Sequence, residues 1–341
     1  MSKASGTLTV HFDSPHFGTG PASRRDRTPS QSGAPFRKSS HRLTIGLVNN
    51  MPDSAFEATE RQFTRLVAQA GGEALKLRLY YLPSVPRGAE AQSVIAARYR
   101  HIEDLYRAPV DALIVTGTEP RTASLKDEPY WPELANLIDW ARDNTASTVW
   151  SCLAAHAAVL HLDGIARLRL PSKRSGAFFA KRAAGSMILD GLPSRLCVCH
   201  SRLNEIVRDD LVASGYRIVS ESPGGHVDIF TKAAPSAFVF LQGHPEYNAD
   251  SLMREYRRDV GRYLQGERDQ YPDMPENYFD AETIRRMEAL RERATISRNP
   301  ALFAAFPEAT LRRGLANRLR ESASAVFKSW LAIAAEQKVS A

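Results

Sequence analysis

The chain has 341 residues, 43% of them hydrophobic and 24% charged, with 45 Lys and Arg against 38 Asp and Glu for a formal charge of +7. This is the composition of a globular chain, and no apolar run approaches the roughly 20 residues of a membrane span, which excludes a membrane partner. The basic excess gathers at Arg24, Arg25, Arg27, Arg37 and Lys38 and again after Arg285; without aromatic interleaving it reads as a solvated surface that attracts anionic substrates, not as a nucleic-acid site.

Residues 1–40, rich in Ser, Gly, Pro and Arg, read as a mobile basic extension with one strand candidate at Leu8–Phe12. They lack the charged-then-apolar layout of a signal peptide, and three cysteines do not make a disulfide framework, so a cytoplasmic chain is expected. Leu43–Val48 reads as a buried strand, Asn49–Asp53 as a turn, and Phe56–Ala70 as a helix with Phe63, Leu66 and Val67 on one face. Leu75–Leu82 is a strand closed by Pro83, and a single helix is expected from about Ala89 to Tyr106. The strand Asp111–Thr116 ends at Gly117; a helix carrying Leu134, Leu137, Ile138 and Trp140 leads to the strand Thr148–Trp150.

This alternation predicts an α/β fold, a mostly parallel sheet flanked by helices, with chemistry at the carboxyl ends of the strands. Beyond residue 165 the candidates are short strands at Leu196–Val198, Tyr216–Ser220, Val227–Thr231 and Ala237–Leu241, with a hairpin turn at Pro223-Gly224-Gly225. From Asp250 the pattern is helical. The tail after Ala281 is helical too, and its stripe of Val326, Phe327, Trp330, Leu331 and Ile333 should dock on the core or on a partner subunit. The expected divisions are 1–40 as the extension, 41–280 as the principal domain and 281–341 as a helical C-terminal extension.

Cys152 stands where a strand turns sharply into an alanine-rich helix. A thiol at a helix N-terminus is favoured as the thiolate, and the Leu153 N–H could serve an oxyanion hole. His244 and Glu246, two apart in an extended segment after the last strand, can share one side, with Glu246 orienting an imidazole that faces Cys152. The blander readings are a structural cysteine and a surface histidine; the corner position and the His-x-Glu together favour nucleophilic catalysis. Cys197 and Cys199 read as strand residues, no ligand spacing suggests a metal, and no glycine loop supports a nucleotide cofactor.

These pieces together resemble the homoserine O-acyltransferases of methionine biosynthesis, which are related to class I glutamine amidotransferases. The resemblance is carried by Asn50-Met51-Pro52, Thr59–Phe63, Ile114–Gly117, Tyr130-Trp131, Cys152, Lys173-x-Ser175-Gly176, His200-Ser201-Arg202, Gly243–Tyr247, Arg258-Asp259 and Asn277–Phe279. It implies an amidotransferase-like, flavodoxin-like sheet and a ping-pong reaction. Cys152 takes the acyl group from acyl-CoA, a co-substrate with no bound cofactor, and His244 serves as base toward the homoserine hydroxyl. It further implies that the turn near Met51 supplies a second oxyanion N–H, that Arg258 clamps the homoserine carboxylate, and that Lys173 and Ser201 contact substrate. The acyl-selecting position falls on Arg121, whose guanidinium could pair with a succinyl carboxylate or point to solvent or the CoA phosphates; succinyl is slightly favoured over acetyl. Asp53-Ser54, Leu153 and Thr118-Glu119 depart from the family pattern. The acyl donor, homoserine against serine as acceptor, an amidotransferase-like hydrolase and a catalytically silent scaffold are left as alternatives. So is the oligomeric state, a homodimer among the options.

Overall fold

The structure, a computed structural model, describes residues 11–12, 43–71, 75–183, 191–233 and 235–340. The expected extension over 1–40 lies outside the described residues except for His11–Phe12, which form strand β1. From Leu43 strand and helix alternate. In order they are β2 (Leu43–Val48), α1 (Asp53–Gly71), β3 (Leu75–Tyr81), α2 (Ala89–Arg98), β4 (Arg100–His101), α3 (Ile102–Arg107), β5 (Ala112–Thr116), α4 (Trp131–Asn144), β6 (Ser147–Ser151) and α5 (Leu153–Asp163). There follow β7 (Leu168–Arg182), β8 (Arg195–Glu205), α6 (Arg208–Ala213), β9 (Arg217–Ser222), β10 (His226–Ala233), β11 (Ala237–Leu241), α7 (Ser251–Leu264), α8 (Ala281–Ile296) and α9 (Leu315–Ser340).

All the strands join one sheet in the order β1-β3-β2-β5-β6-β11-β10-β9-β7-β8, with β4 paired to β3 off this path. Pairing is parallel from β1 through β11 and antiparallel from β11 to β8. Side chains on the central strands alternate between two apolar layers, as a strand covered on both faces requires. Ile114, Val149, Val239 and Leu241 join Phe63 of α1 and Phe327 and Trp330 of α9. Leu113, Val115, Trp150, Phe238 and Phe240 meet Leu137, Ile138, Ala154 and Ala158 of α4 and α5. A third cluster packs Tyr256 and Val260 of α7 against Tyr278, Phe279, Met287 and Leu290. The apolar stripe of the tail thus docks on the sheet, and Trp330 Nε1 donates to Ser147 Oγ at 3.0 Å. No helix among the described residues is long and apolar enough to cross a membrane.

Three segments differ from expectation. The helix expected over 89–106 breaks at Tyr99, whose ring is buried and whose hydroxyl donates to Glu60 Oε2 at 2.9 Å. The next two residues then pair as β4 with Tyr80 and Tyr81. The strand expected at 196–198 runs on to Glu205 because β7 pairs with it along most of its length. Strand β7 itself went unpredicted: its first half is exposed, and a register shift between Arg169 and Arg174 accommodates Pro171.

Candidate active site

Cys152 occupies the corner between β6 and α5 with φ 53° and ψ −113°. A left-handed φ at a residue with a side chain costs on the order of 1–3 kcal/mol, so the surroundings must hold it. They do: the Cys152 N–H donates to Leu241 O of the neighbouring strand at 2.7 Å, and the Cys152 carbonyl accepts from Ala155 N at 3.0 Å and His156 N at 3.3 Å. The turn lifts a partly exposed thiol to the end of the sheet while Ala154, Ala155, Ala157 and Ala158 bury the helix against it. Leu153 opens α5, where backbone N–H groups have no intrahelical acceptor. The loop after β5 presses on that point: a Cβ added at Gly117 would sit 2.9 Å from Leu153 N and 2.5 Å from Leu153 Cβ.

His244 follows β11, and its N–H donates to Cys199 O of β8 at 2.7 Å. Gly243 permits this approach, since a Cβ there would lie 2.5 Å from Val198 Cγ1 and 3.0 Å from Cys199 O. His244 Nδ1 lies 2.8 Å from Glu246 Oε1, and both residues are buried. That contact leaves Nε2 as the ring nitrogen free to face Cys152, whose strand β6 is paired with the β11 that His244 follows. Tyr247 stacks on the imidazole with centroids 4.3 Å apart. Burial alone would lower the His244 pKa, but Cys152 and the Glu246 carboxylate outweigh it and hold the imidazole well above its ordinary value. The structure therefore brings Cys152, His244 and Glu246 to one end of one sheet.

The residues assigned to substrate fall around an acid that the sequence reading missed. Glu255 of α7 accepts from Tyr247 Oη at 2.6 Å, from Ser201 Oγ, and from Lys173 Nζ at 3.4 Å. Burial opposes its ionisation, yet Lys173, these hydroxyls and His244 keep its pKa below the usual carboxylate value. Lys173 also reaches Asp259 Oδ2 at 3.4 Å, and Arg258 donates twice to Asp259 Oδ1 at 3.0 and 3.1 Å with its side chain 46% exposed. The signal for Glu255 was present in the sequence as an acid three and four residues before Arg258-Asp259, on one helix face.

Two assignments sit differently. The Met51 N–H is turned to Asn49 Oδ1 at 3.3 Å, and Arg87 fastens the same turn by donating to Met51 O and Asn49 O. Arg121 has its backbone N–H on the buried Glu128 carboxylate at 2.5 Å, shared with Thr122 N at 2.7 Å. Its side chain is exposed at the rim of a cleft lined by Pro52, Val85, Arg87, Thr118, Glu119 and Tyr130.

Comparison with known proteins shows the family and the fold. The family model described as "Homoserine O-succinyltransferase" matches residues 30–341. A homoserine O-succinyltransferase of Rhodopseudomonas palustris is 48% identical, over 95% of this chain and 96% of its own, and one of Bradyrhizobium japonicum is 46% identical, over 96% and 100%. A solved glutamine amido transferase from Methylobacillus flagellatus shares the fold with a TM-score of 0.50 and 16% identity, over 86% of this chain and 95% of its own. With a strand-to-helix thiol, a His-x-Glu and relatives matched along nearly their whole length, the chain belongs to the homoserine O-succinyltransferase family.

Proposed function

We propose that this chain moves a succinyl group from succinyl-CoA to the hydroxyl of L-homoserine, through a thioester on Cys152, in the methionine biosynthetic route. The observation that carries the reading is a partly exposed Cys152 thiol at the end of β6 beside a buried imidazole, at the end of the paired strand β11, whose Nδ1 is held by Glu246. The relatives that are homoserine O-succinyltransferases by name support the acceptor and the acyl group.

In the first half-reaction the Cys152 thiolate, held beside the His244 imidazolium, attacks the thioester carbonyl. The oxyanion faces the N–H groups at the start of α5. The carbon–sulfur bond to coenzyme A breaks, and the leaving thiolate takes the His244 proton. In the second half, His244 accepts the proton of the homoserine hydroxyl as its oxygen attacks the Cys152 thioester. The carbon–sulfur bond to Cys152 breaks, which regenerates the thiolate and imidazolium. Glu246 keeps Nδ1 engaged throughout and so fixes which nitrogen exchanges the proton.

For the amino-acid acceptor, the Arg258 guanidinium suits the carboxylate, and the Glu255 carboxylate, with Lys173 and Ser201 around it, suits the ammonium. The exposed Arg121 suits the phosphates of coenzyme A at the cleft rim.

Intact-mass analysis after mixing with succinyl-CoA tests the reading. The expected result is a succinyl adduct that peptide mapping places on Cys152, that homoserine discharges, and that is missing from Cys152→Ala. Glutamine hydrolysis without an adduct would instead mark an amidotransferase-like hydrolase.

A further inference from the structure

Two side chains hold the imidazole of His244 in different directions. In the plane of the ring, Nδ1 meets Glu246 Oε1 at 2.8 Å. On one face lies the ring of Tyr247, with centroids 4.3 Å apart and planes inclined by 17°. The chain after β11 makes this overlap. The Tyr247 N–H donates to His244 O at 3.3 Å, which closes a four-residue turn and sets the third side chain after His244 back over it. Pro245 takes the second position of that turn, where its fixed φ suits. A hydrogen bond in the plane lets a ring pivot about the bonded atom; a second ring against its face stops the pivot.

Aromatic pairs accept a range of offsets, so a stack holds a ring only where the second ring is itself fixed. Tyr247 is fixed at its far end. Its Oη donates to Glu255 Oε1 at 2.6 Å, the length of a hydrogen bond to a carboxylate. Burial first, then the Glu255 carboxylate, holds the Tyr247 phenol well above its ordinary pKa, so it remains a donor. Glu255 is fixed in turn from β7 and β8, since Lys173 Nζ at 3.4 Å and Ser201 Oγ both reach its Oε2. The two carboxylate oxygens thus divide, Oε2 toward the strands and Oε1 toward the tyrosine.

We propose that Tyr247 is a positioning residue for the His244 imidazole, and that Glu255, through the Tyr247 hydroxyl, is its anchor. The inference rests on the acyl-transfer reading above and gives Glu255 a second task, performed before any acceptor binds. An acid that only received the acceptor ammonium would be idle in the first half-reaction. An acid that also sets the plane of the imidazole is needed there, because the His244 proton passes to the leaving coenzyme A thiolate in that step. The reach of a proton carrier is short, and a small tilt of the ring moves Nε2 off its line.

The test uses the full chain and three variants. Tyr247→Phe keeps the ring and removes the hydroxyl, Tyr247→Leu removes the ring, and Glu255→Ala removes the anchor. Mixed rapidly with excess succinyl-CoA and no homoserine, each releases a burst of coenzyme A whose maximal rate reports the first half-reaction. That rate should fall about 10-fold in Tyr247→Phe and in Glu255→Ala, and about 100-fold in Tyr247→Leu, with the half-saturating succinyl-CoA concentration little moved. The double variant Tyr247→Phe, Glu255→Ala should be no slower than either single one, since both cut the same link. A burst unmoved in Tyr247→Phe or in Glu255→Ala, losses that multiply in the double variant, or a change confined to half-saturation would overturn the proposal. Circular dichroism identifies any variant that fails to fold; if Glu255→Ala does, Tyr247→Phe, which alters one oxygen, carries the test alone. If the unmodified chain gives no burst, it is the acyl-transfer reading that fails, and this role with it.

Discussion

At the scale of single residues, the site is organised by what burial does to charge. In the proposed reaction Glu246 contributes no reacting atom; with Cys152, it holds the pKa of the buried imidazole up against burial. Glu246→Gln should lower kcat on the order of 100-fold with little effect on the homoserine KM, because the proton carrier is mis-set while the acceptor contacts persist. Steady-state kinetics separate the two parameters. His156 and His200 behave in the opposite way. Burial first, then Arg202 and Arg167, depresses the folded pKa of His156 to about 3, and burial outweighs Asp228 to bring His200 to about 4. Their ordinary value is near 6.5, so the unfolded chain binds protons that the folded one refuses. Stability is full above about pH 6.5 and is lost as pH falls toward 4, by up to about 1.4 kcal/mol per pH unit for each group. His156→Gln should therefore lose less stability than the parent between pH 6.5 and 4.5 in urea titrations; identical losses would contradict this account. That thiol, imidazole and carboxylate would stand at one end of the sheet was legible because each follows a strand end. Glu255 was not, because a charge on a helix surface looks solvated until partners from distant strands enclose it.

At the scale of elements, the parallel half of the sheet was legible and the antiparallel half was legible only in part. Ala112–Thr116 and Ala237–Leu241 are apolar runs bounded by turn residues, and they bury on both faces as such runs must. Leu168–Arg182 mixes Pro, Lys and Arg with its apolar residues; its partner β8, not its own pattern, makes it a strand. The break at Tyr99 was equally invisible, since it depends on one hydroxyl that donates to Glu60 and accepts from Asn49 Nδ2. Glycines at strand ends set distances that side chains then use. Gly243→Ala should push the end of β11 away from Val198 and Cys199, and His244 with it. The expected outcome is a fall in kcat of at least 10-fold with a stability loss of about 1–3 kcal/mol, measured on one preparation by kinetics and denaturant unfolding.

At the scale of the whole molecule, α9 completes one face of the sheet. Phe327 and Trp330 are fully buried among residues of α1, β6 and β11, and the Trp330 indole is hydrogen-bonded to Ser147. The sequence showed the stripe but not its partner, because period alone does not say which surface a helix covers. Trp330→Ala should cost about 3–5 kcal/mol of stability, while the folded fraction keeps its kcat, since this face lies opposite α5, which Cys152 precedes.

The backbone ties of Cys152 to Leu241 and of His244 to Cys199 have a thermal consequence. Cys152 and His244 hang from adjoining strands inside the sheet, so among the described residues warming has no loose segment through which to part them early. Loss of turnover on heating should coincide with loss of the near-ultraviolet dichroism of the packed aromatics, and an enzyme that went silent well before that signal would show the alignment to be softer than its anchoring implies.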